Sequence, residues 1–343
     1  METDAVIKQL LDSDVPSIRY RTRVRVLGED PDAAPLRRLR SEIATSGLVA
    51  ELLTGMDESG RIARPASVYA KWQGAHWILA ALADIDYPPG DEKLLPLRDQ
   101  VQQHWLSNRF QIEFPASSKA AAYRGRGVPV MQQRHRRCAS QQSNALWSVL
   151  RLGLVNDQTH ELVERLLHWQ WPDGGWNCDK NPDACHSSFM ESIIPLRALS
   201  LYGRTMGDAD ALKAASRAAQ IFLKRQLFQR QHDGSTIKKE FVCLHYPLYW
   251  HYDILHGLKV LAEAGFIADS RCVEALDLLE SKRLEDGGWP AEKKYYRFNR
   301  EIKLGNDNVD WGGTSSRRMN PWVTTDALCV LRAAGRLQSF GNG

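Results

Sequence analysis

Apolar residues recur at helical spacing along almost the whole chain, and strand-like alternation is hard to find. The first stretches, "DAVIKQLLDSD" and "VPSIRYRTRVRVLGE", read as short amphipathic helices, and "APLRRLRSEIATSGLVAELLTGM" continues the pattern. Five later segments look alike: "KWQGAHWILAALADI", "CASQQSNALWSVLRLGL", "HSSFMESIIPLRALSLYG", "HYDILHGLKVLAEAGF" and "NPWVTTDALCVLRAAGRL". Each opens with polar or aromatic residues and runs into a helix rich in Leu and Ala. They begin near Lys71, Cys138, His186, His251 and Asn320, a period of roughly 50–70 residues. Between them lie amphipathic helices such as "KLLPLRDQVQQHWL", "HELVERLLHWQ" and "RCVEALDLLESKRL". Helices apolar nearly all round belong inside, and amphipathic ones outside. The pattern predicts an all-α protein of alternating inner and outer helices, stacked as an open solenoid or closed into a ring around a cavity.

Two outer helices end in the same corner, "HWQWPDGGWNCD" and "SKRLEDGGWP". The glycines allow left-handed backbone at the helix exit, and Trp176 and Trp289 are placed to fold back as packing residues. These corners, each followed by an inner helix, resemble the QW-type repeats of the α/α-toroid superfamily of terpenoid cyclases and protein prenyltransferase β subunits. Similarity is greatest to bacterial stand-alone prenyltransferase/squalene oxidase repeat proteins, through "GGWNCD…HSSF" and "WHYD". The resemblance implies an α/α toroid, a closed ring of about five helical-hairpin repeats. It covers residues 49–343, with 1–48 as an N-terminal helical extension. The chain departs from the superfamily in two respects. "ADIDY" at Ala83–Tyr87 is the nearest approach to a D-x-D-D acid motif and lacks the final acid pair, against a class II cyclase. The prenyltransferase zinc set of Asp-x-Cys with a distant His is not matched in spacing.

Composition adds limits. The 343 residues are 43% hydrophobic and 25% charged, as in globular proteins, and no apolar run nears the ~18 residues of a membrane span. Without a signal-like start the chain reads as cytoplasmic, so its six cysteines are expected as thiols or metal ligands. A net charge of +4 does not point to nucleic acid. The basic clusters "YRGRGVPVMQQRHRRC" and "KKYYRFNREIK" either meet an anionic ligand or are solvated loops. Phosphate-loop, G-x-S-x-G and H-E-x-x-H motifs are absent, against an NTPase, a serine hydrolase of that fold and a zincin.

In a toroid the N-termini of the inner helices gather at one end. That placement makes Cys138, Cys178, His186 and His251 a candidate zinc set, with Asp179 as a competing ligand. In a purely structural reading Ser188 caps a helix and Glu191 completes a capping box. Without a metal, His251 with Asp253 or Asp179 would serve as acid and base in a shielded cavity. Trp72, His76, Tyr252 and Trp322 are candidate wall residues, and Arg134 and Arg136 candidate anion contacts. The expected function is an enzyme that holds an apolar or amphiphilic, anionic, isoprenoid-like molecule and performs a lyase, cyclase or transferase step, with zinc assistance as an option. The alternative is a non-catalytic isoprenoid or lipid-binding protein.

Overall fold

The computed structural model describes residues 2–337. Its helices in chain order are α1 (Glu2–Leu11), α2 (Pro16–Arg21), α3 (Ala34–Ala44), α4 (Gly47–Leu52), α5 (Ala75–Asp84), α6 (Leu95–Trp105) and α7 (Lys119–Arg124). They continue as α8 (Ala139–Arg151), α9 (Asp157–His168), α10 (Phe189–Met206), α11 (Ala209–Leu223), α12 (Ile254–Glu263), α13 (Val273–Ser281) and α14 (Pro321–Ala333). A π-helical turn, Thr22–Leu27, extends α2.

Helices α5, α8, α10, α12 and α14 fall in the five similar segments, and each packs on the next around the ring. α14 then packs on α2 and its π-helical turn. Arg21 of α2 reaches Asp86, just past α5, so the N-terminal helices close the circle. Outside lie α1, α3, α6, α9, α11 and α13, each against the inner helix it accompanies. The molecule is an α/α toroid.

Burial explains which helix goes where. α8 buries nearly its whole length, from Ala139 to Val149 with the exception of Gln141. α9 buries only Thr159, Leu162, Val163 and Leu166, one stripe at helical spacing. α10 and α11 meet closely because Gly203 has no side chain: a Cβ there would lie 2.6 Å from Leu212 Cγ. Polar caps set the starts, with Asn156 and Thr159 forming a capping box on α9, Asp208 capping α11 and Asn320 capping α14.

The two DGGW corners are alike in detail. Gly174 and Gly287 take left-handed φ values of +103° and +83°. The indole of Trp176 donates to the Leu166 carbonyl at 2.9 Å and that of Trp289 to Leu279 at 2.7 Å, each on the last turn of the preceding outer helix. Their backbone N–H groups donate to Ser192 Oγ (3.1 Å) and Thr324 Oγ1 (2.9 Å) on the following inner helix. Each corner therefore pins an outer helix to the next inner one.

Short strands interrupt the connections. β1 (Glu113–Pro115) pairs in parallel with β2 (Val128–Met131), which pairs antiparallel with β3 (Arg134–His135). β4 (Arg297–Phe298) runs parallel to β5 (Asn306–Asp307). Runs of two to four residues are too short to register as alternation in the sequence. Among the described residues no helix is long and apolar enough to cross a membrane.

Candidate active site

The ring encloses two adjoining cavities. An inner chamber of about 90 Å³ is walled by Trp77, Trp147, Tyr246, Tyr249 and Trp311, with Leu255 and Val323 between them. A vestibule of about 510 Å³ lies at the C-terminal ends of the inner helices. Trp147, Arg197, Lys259 and Asp326 line both.

A belt of paired charges separates chamber from vestibule. Lys259 binds Asp326 at 2.7 Å and approaches Asp84 at 3.6 Å. Arg197 is bidentate on Glu263 (2.6 and 2.8 Å) and lies 3.8 Å over the ring of Trp147. Asp86 takes Arg21 at 3.0 Å together with Arg25 and Arg151. Burial alone would raise the carboxyl pKa values. Lys259, Arg21 and Arg197 outweigh it at Asp84, and Arg25, Arg151 and Arg21 at Asp86, holding both well below the usual carboxylate range. The two acids of "ADIDY" are therefore ionised ion-pair partners and not proton donors. The vestibule wall carries Arg25, Arg40, Arg151, Arg197, Arg204 and Lys259 against Asp86, Glu263 and Asp326, a surplus of positive charge.

One wall of the chamber holds a histidine–aspartate pair. Asp253 caps α12, its Oδ1 accepting the N–H of His256 at 2.9 Å. Its Oδ2 accepts the backbone N–H of His245 at 2.9 Å and faces His245 Nδ1 at 3.2 Å. A carboxylate at Nδ1 fixes the proton there and leaves Nε2 with a free lone pair. Nε2 is buried without a hydrogen-bond partner, on a residue that lines the chamber. Tyr295 stacks on the imidazole at 4.6 Å and holds its plane. His256 lines the same chamber with an unpartnered Nδ1.

The residues expected from sequence are dispersed. Asp253 is in the site, but its partner is His245. His251 turns away, bonding the Leu248 carbonyl at 3.0 Å and stacking on Tyr295 at 3.4 Å. Asp179 is exposed in a loop, where it accepts the N–H of Asn181. Trp72 stacks on Tyr249 behind the chamber wall, and Trp322 stacks on Tyr246. His76 accepts from the Trp105 indole at 3.0 Å in the core. Tyr252 is wholly buried and donates to the Leu227 carbonyl. Arg136 ties down the carbonyls of Pro182 and Ala184, and Arg134 lies over Trp171 on the surface side. The aromatic residues that do line the chamber are Trp77, Trp147, Tyr246, Tyr249 and Trp311.

The four-residue zinc set does not meet. Cys138 and Cys178 come together, with Glu191 as their third neighbour, their ligand atoms all within 4.8 Å. His186 is exposed on its loop and His251 belongs to the aromatic stack. The capping box is not formed: Ser188 makes no side-chain cap and its N–H donates to the Trp176 carbonyl at 2.8 Å, while Glu191 accepts the N–H of Ser140 at 3.0 Å and the thiol of Cys178 at 3.5 Å. The hydrogen bond to Cys138, burial and Glu191 push the Cys178 thiol well up. A second cluster joins Glu113, His135 and His168 on the outer surface.

Burial lowers the pKa of His76 to about 3 and of His256 to about 4. Both fold in the neutral form, whereas in the unfolded chain they bind protons below about pH 6.5. Their contribution to stability is complete above that pH and is lost as pH falls toward 4. In His256→Gln the fall in melting temperature between pH 6.5 and 4 is therefore shallower than in wild type. Equal slopes in calorimetry would contradict this.

No family model and no curated protein matches the chain. Among solved structures it is similar to a protein from Actinoplanes at 16% identity, covering 98% of this chain and 100% of that one, with a TM-score of 0.46. It is similar to an unsaturated glucuronyl hydrolase from Bacillus sp. GL1 at 13% identity, over 92% of this chain and 84% of that one, TM-score 0.43. A type II terpene cyclase from Scytonema is similar at 13% identity, over 87% and 98%, TM-score 0.27. None is close enough to transfer a residue role.

Proposed function

We propose that this chain is an enzyme whose toroid cavity holds an amphiphilic anionic molecule and moves a proton on it, with His245 as the acid–base group. The observation that carries this reading is the free Nε2 of His245, its tautomer set by Asp253, on the wall of an aromatic chamber. An imidazole with that nitrogen free accepts a proton from a bound carbon or oxygen acid and returns it later in the cycle. Trp77, Trp147 and Trp311 offer apolar faces to a hydrocarbon portion, and their π-clouds stabilise positive charge that develops beside them. The surplus cations of the vestibule suit a phosphate or carboxylate head. An isoprenoid-like acid or diphosphate has both parts, and a lyase, cyclase or transferase step is the chemistry such an arrangement serves. Protonation by an aspartic acid is not part of the proposal, because Asp84 and Asp86 are ionised.

The binding half of this reading has its own test. Titration with dimethylallyl diphosphate, whose short tail is nearer the size of the chamber, gives saturable quenching of tryptophan emission, since three indoles line the chamber. Ala80 lines it from α5 with part of its surface free. Ala80→Phe fills that space and weakens binding by about tenfold or more, roughly the loss expected when a well-fitted apolar contact is blocked. Quenching that never saturates, or an unchanged Kd in the variant, argues against the cavity as the binding site.

A further inference from the structure

The sequence "NCDKNPDACHSSFMES" brings Cys178 and Glu191 together across a loop, and Cys138 arrives from the start of α8. Three elements thus converge at the N-terminal ends of α8 and α10, away from the vestibule. The geometry points to a divalent transition-metal site of the zinc type, bound by Cys138 Sγ, Cys178 Sγ and a Glu191 carboxylate oxygen, with one position left open. This inference rests on the cluster alone and is independent of the role of His245.

The spacing fits. Zinc takes thiolate at about 2.3 Å and carboxylate at about 2.0–2.2 Å in a tetrahedron, which puts sulfur and oxygen ligands about 3.5 Å apart. Cys178 Sγ and Glu191 Oε1 are 3.5 Å apart, and all three ligand atoms lie within 4.8 Å of one another. Glu191 is buried and its Oε2 is oriented by the N–H of Ser140, as carboxylate ligands usually are by a neighbouring donor. Both cysteines are partly exposed.

The charges also fit. Two thiolates and a carboxylate carry three negative charges, a divalent ion supplies two positive ones, and Arg137 supplies the third. Arg137 is buried within electrostatic reach of Cys138, Cys178 and Glu191, and its Nε and Nη2 have no hydrogen-bond partner. Its guanidinium is held in place by Phe110 and Trp105, at 4.6 and 5.6 Å from their ring centres. Ligation of a divalent ion leaves the cluster with one negative charge, which Arg137 balances.

The Glu113, His135 and His168 cluster is a weaker candidate. It is closed on itself: His135 Nε2 and His168 Nε2 each bond one carboxylate oxygen, at 3.1 and 2.8 Å, and the Trp169 indole bonds the same carboxylate. At Cys138 and Cys178 the Cys178 thiol bonds Glu191 at 3.5 Å, but the neighbouring Arg137 keeps its Nε and Nη2 without a partner.

The test uses the full chain, purified reduced and without a metal-affinity tag or chelator. Elemental mass spectrometry is expected to find about one zinc per chain, lost in Cys178→Ser and Glu191→Gln and kept in His168→Ala. Replacing the metal with Co²⁺ in wild type is expected to give a thiolate-to-metal charge-transfer band and intense tetrahedral d–d bands. That spectrum reads the site even where a variant fails to fold. Chelation is expected to expose two further thiols to a chromogenic reagent. Absence of metal after zinc addition overturns the inference, as does loss in His168→Ala with retention in Cys178→Ser. A Co²⁺ spectrum without thiolate bands, or a mass two hydrogen atoms low from a Cys138–Cys178 disulfide in protein kept reduced, also overturns it.

Discussion

Replacing His245 with glutamine lowers turnover by about 10²–10⁴-fold, the usual contribution of a positioned acid–base group. Glutamine keeps a donor for Asp253 and a planar group against Tyr295, so ligand binding and melting temperature stay close to wild type. Asp253→Asn preserves an oxygen to cap α12 but no longer fixes the Nδ1–H tautomer, and activity falls. His251→Gln, by contrast, removes a ring from a stack outside the chamber and leaves turnover largely intact. Activity retained in His245→Gln and lost in His251→Gln would reverse the assignment.

The largest effect on stability is expected at Arg21. Its side chain is fully buried where the ring closes, with Nε on Asp86 at 3.0 Å. Its terminal nitrogens approach Asp84 and Asp326 at 3.4 and 3.6 Å, ion-pair distances longer than hydrogen bonds. It also lies 5.2 Å over the ring of Trp322. Arg21→Leu keeps the volume but strips positive charge from three carboxylates on α14 and at the end of α5, two of them buried. Breaking a buried ion pair by removing one partner costs about 3–5 kcal/mol. Urea unfolding of the variant is expected to show a loss in that range. Asp326→Asn in the Arg21→Leu background recovers part of it, because one unpaired charge is gone. A loss below about 1 kcal/mol would mean the carboxylates are served by Arg25, Arg151, Arg197 and Lys259 without it.

The fold was legible because its signals are local. Segments such as "WILAALA" are apolar all round, outer helices such as α9 show a single stripe, and "DGGW" repeats with the same spacing to its helix. Chemistry depended on register, which is not local. "HYPLYWHYD" holds two histidines near one aspartate, and proximity to α12 favours His251. The loop instead folds back so that Asp253, having given one oxygen to the helix cap, meets His245 eight residues upstream with the other. Nothing in composition tells which imidazole takes the second oxygen. The cysteines were visible as metal-type ligands, but Glu191 read as a capping residue, since S-x-x-E is the pattern of a capping box. The belt of Arg21, Asp84, Asp86, Arg197, Lys259 and Asp326 was invisible, because its members are separated by most of the chain and meet only when the ring closes.

The central claim, a catalytic cavity acting through His245, is tested most directly without naming a substrate. Cell small-molecule extracts are incubated with wild type or His245→Gln and compared by liquid chromatography–mass spectrometry. Wild type is expected to consume at least one amphiphilic anion, which His245→Gln binds but leaves unchanged. An extract unaltered by folded wild-type protein, or altered equally by both, would contradict the claim.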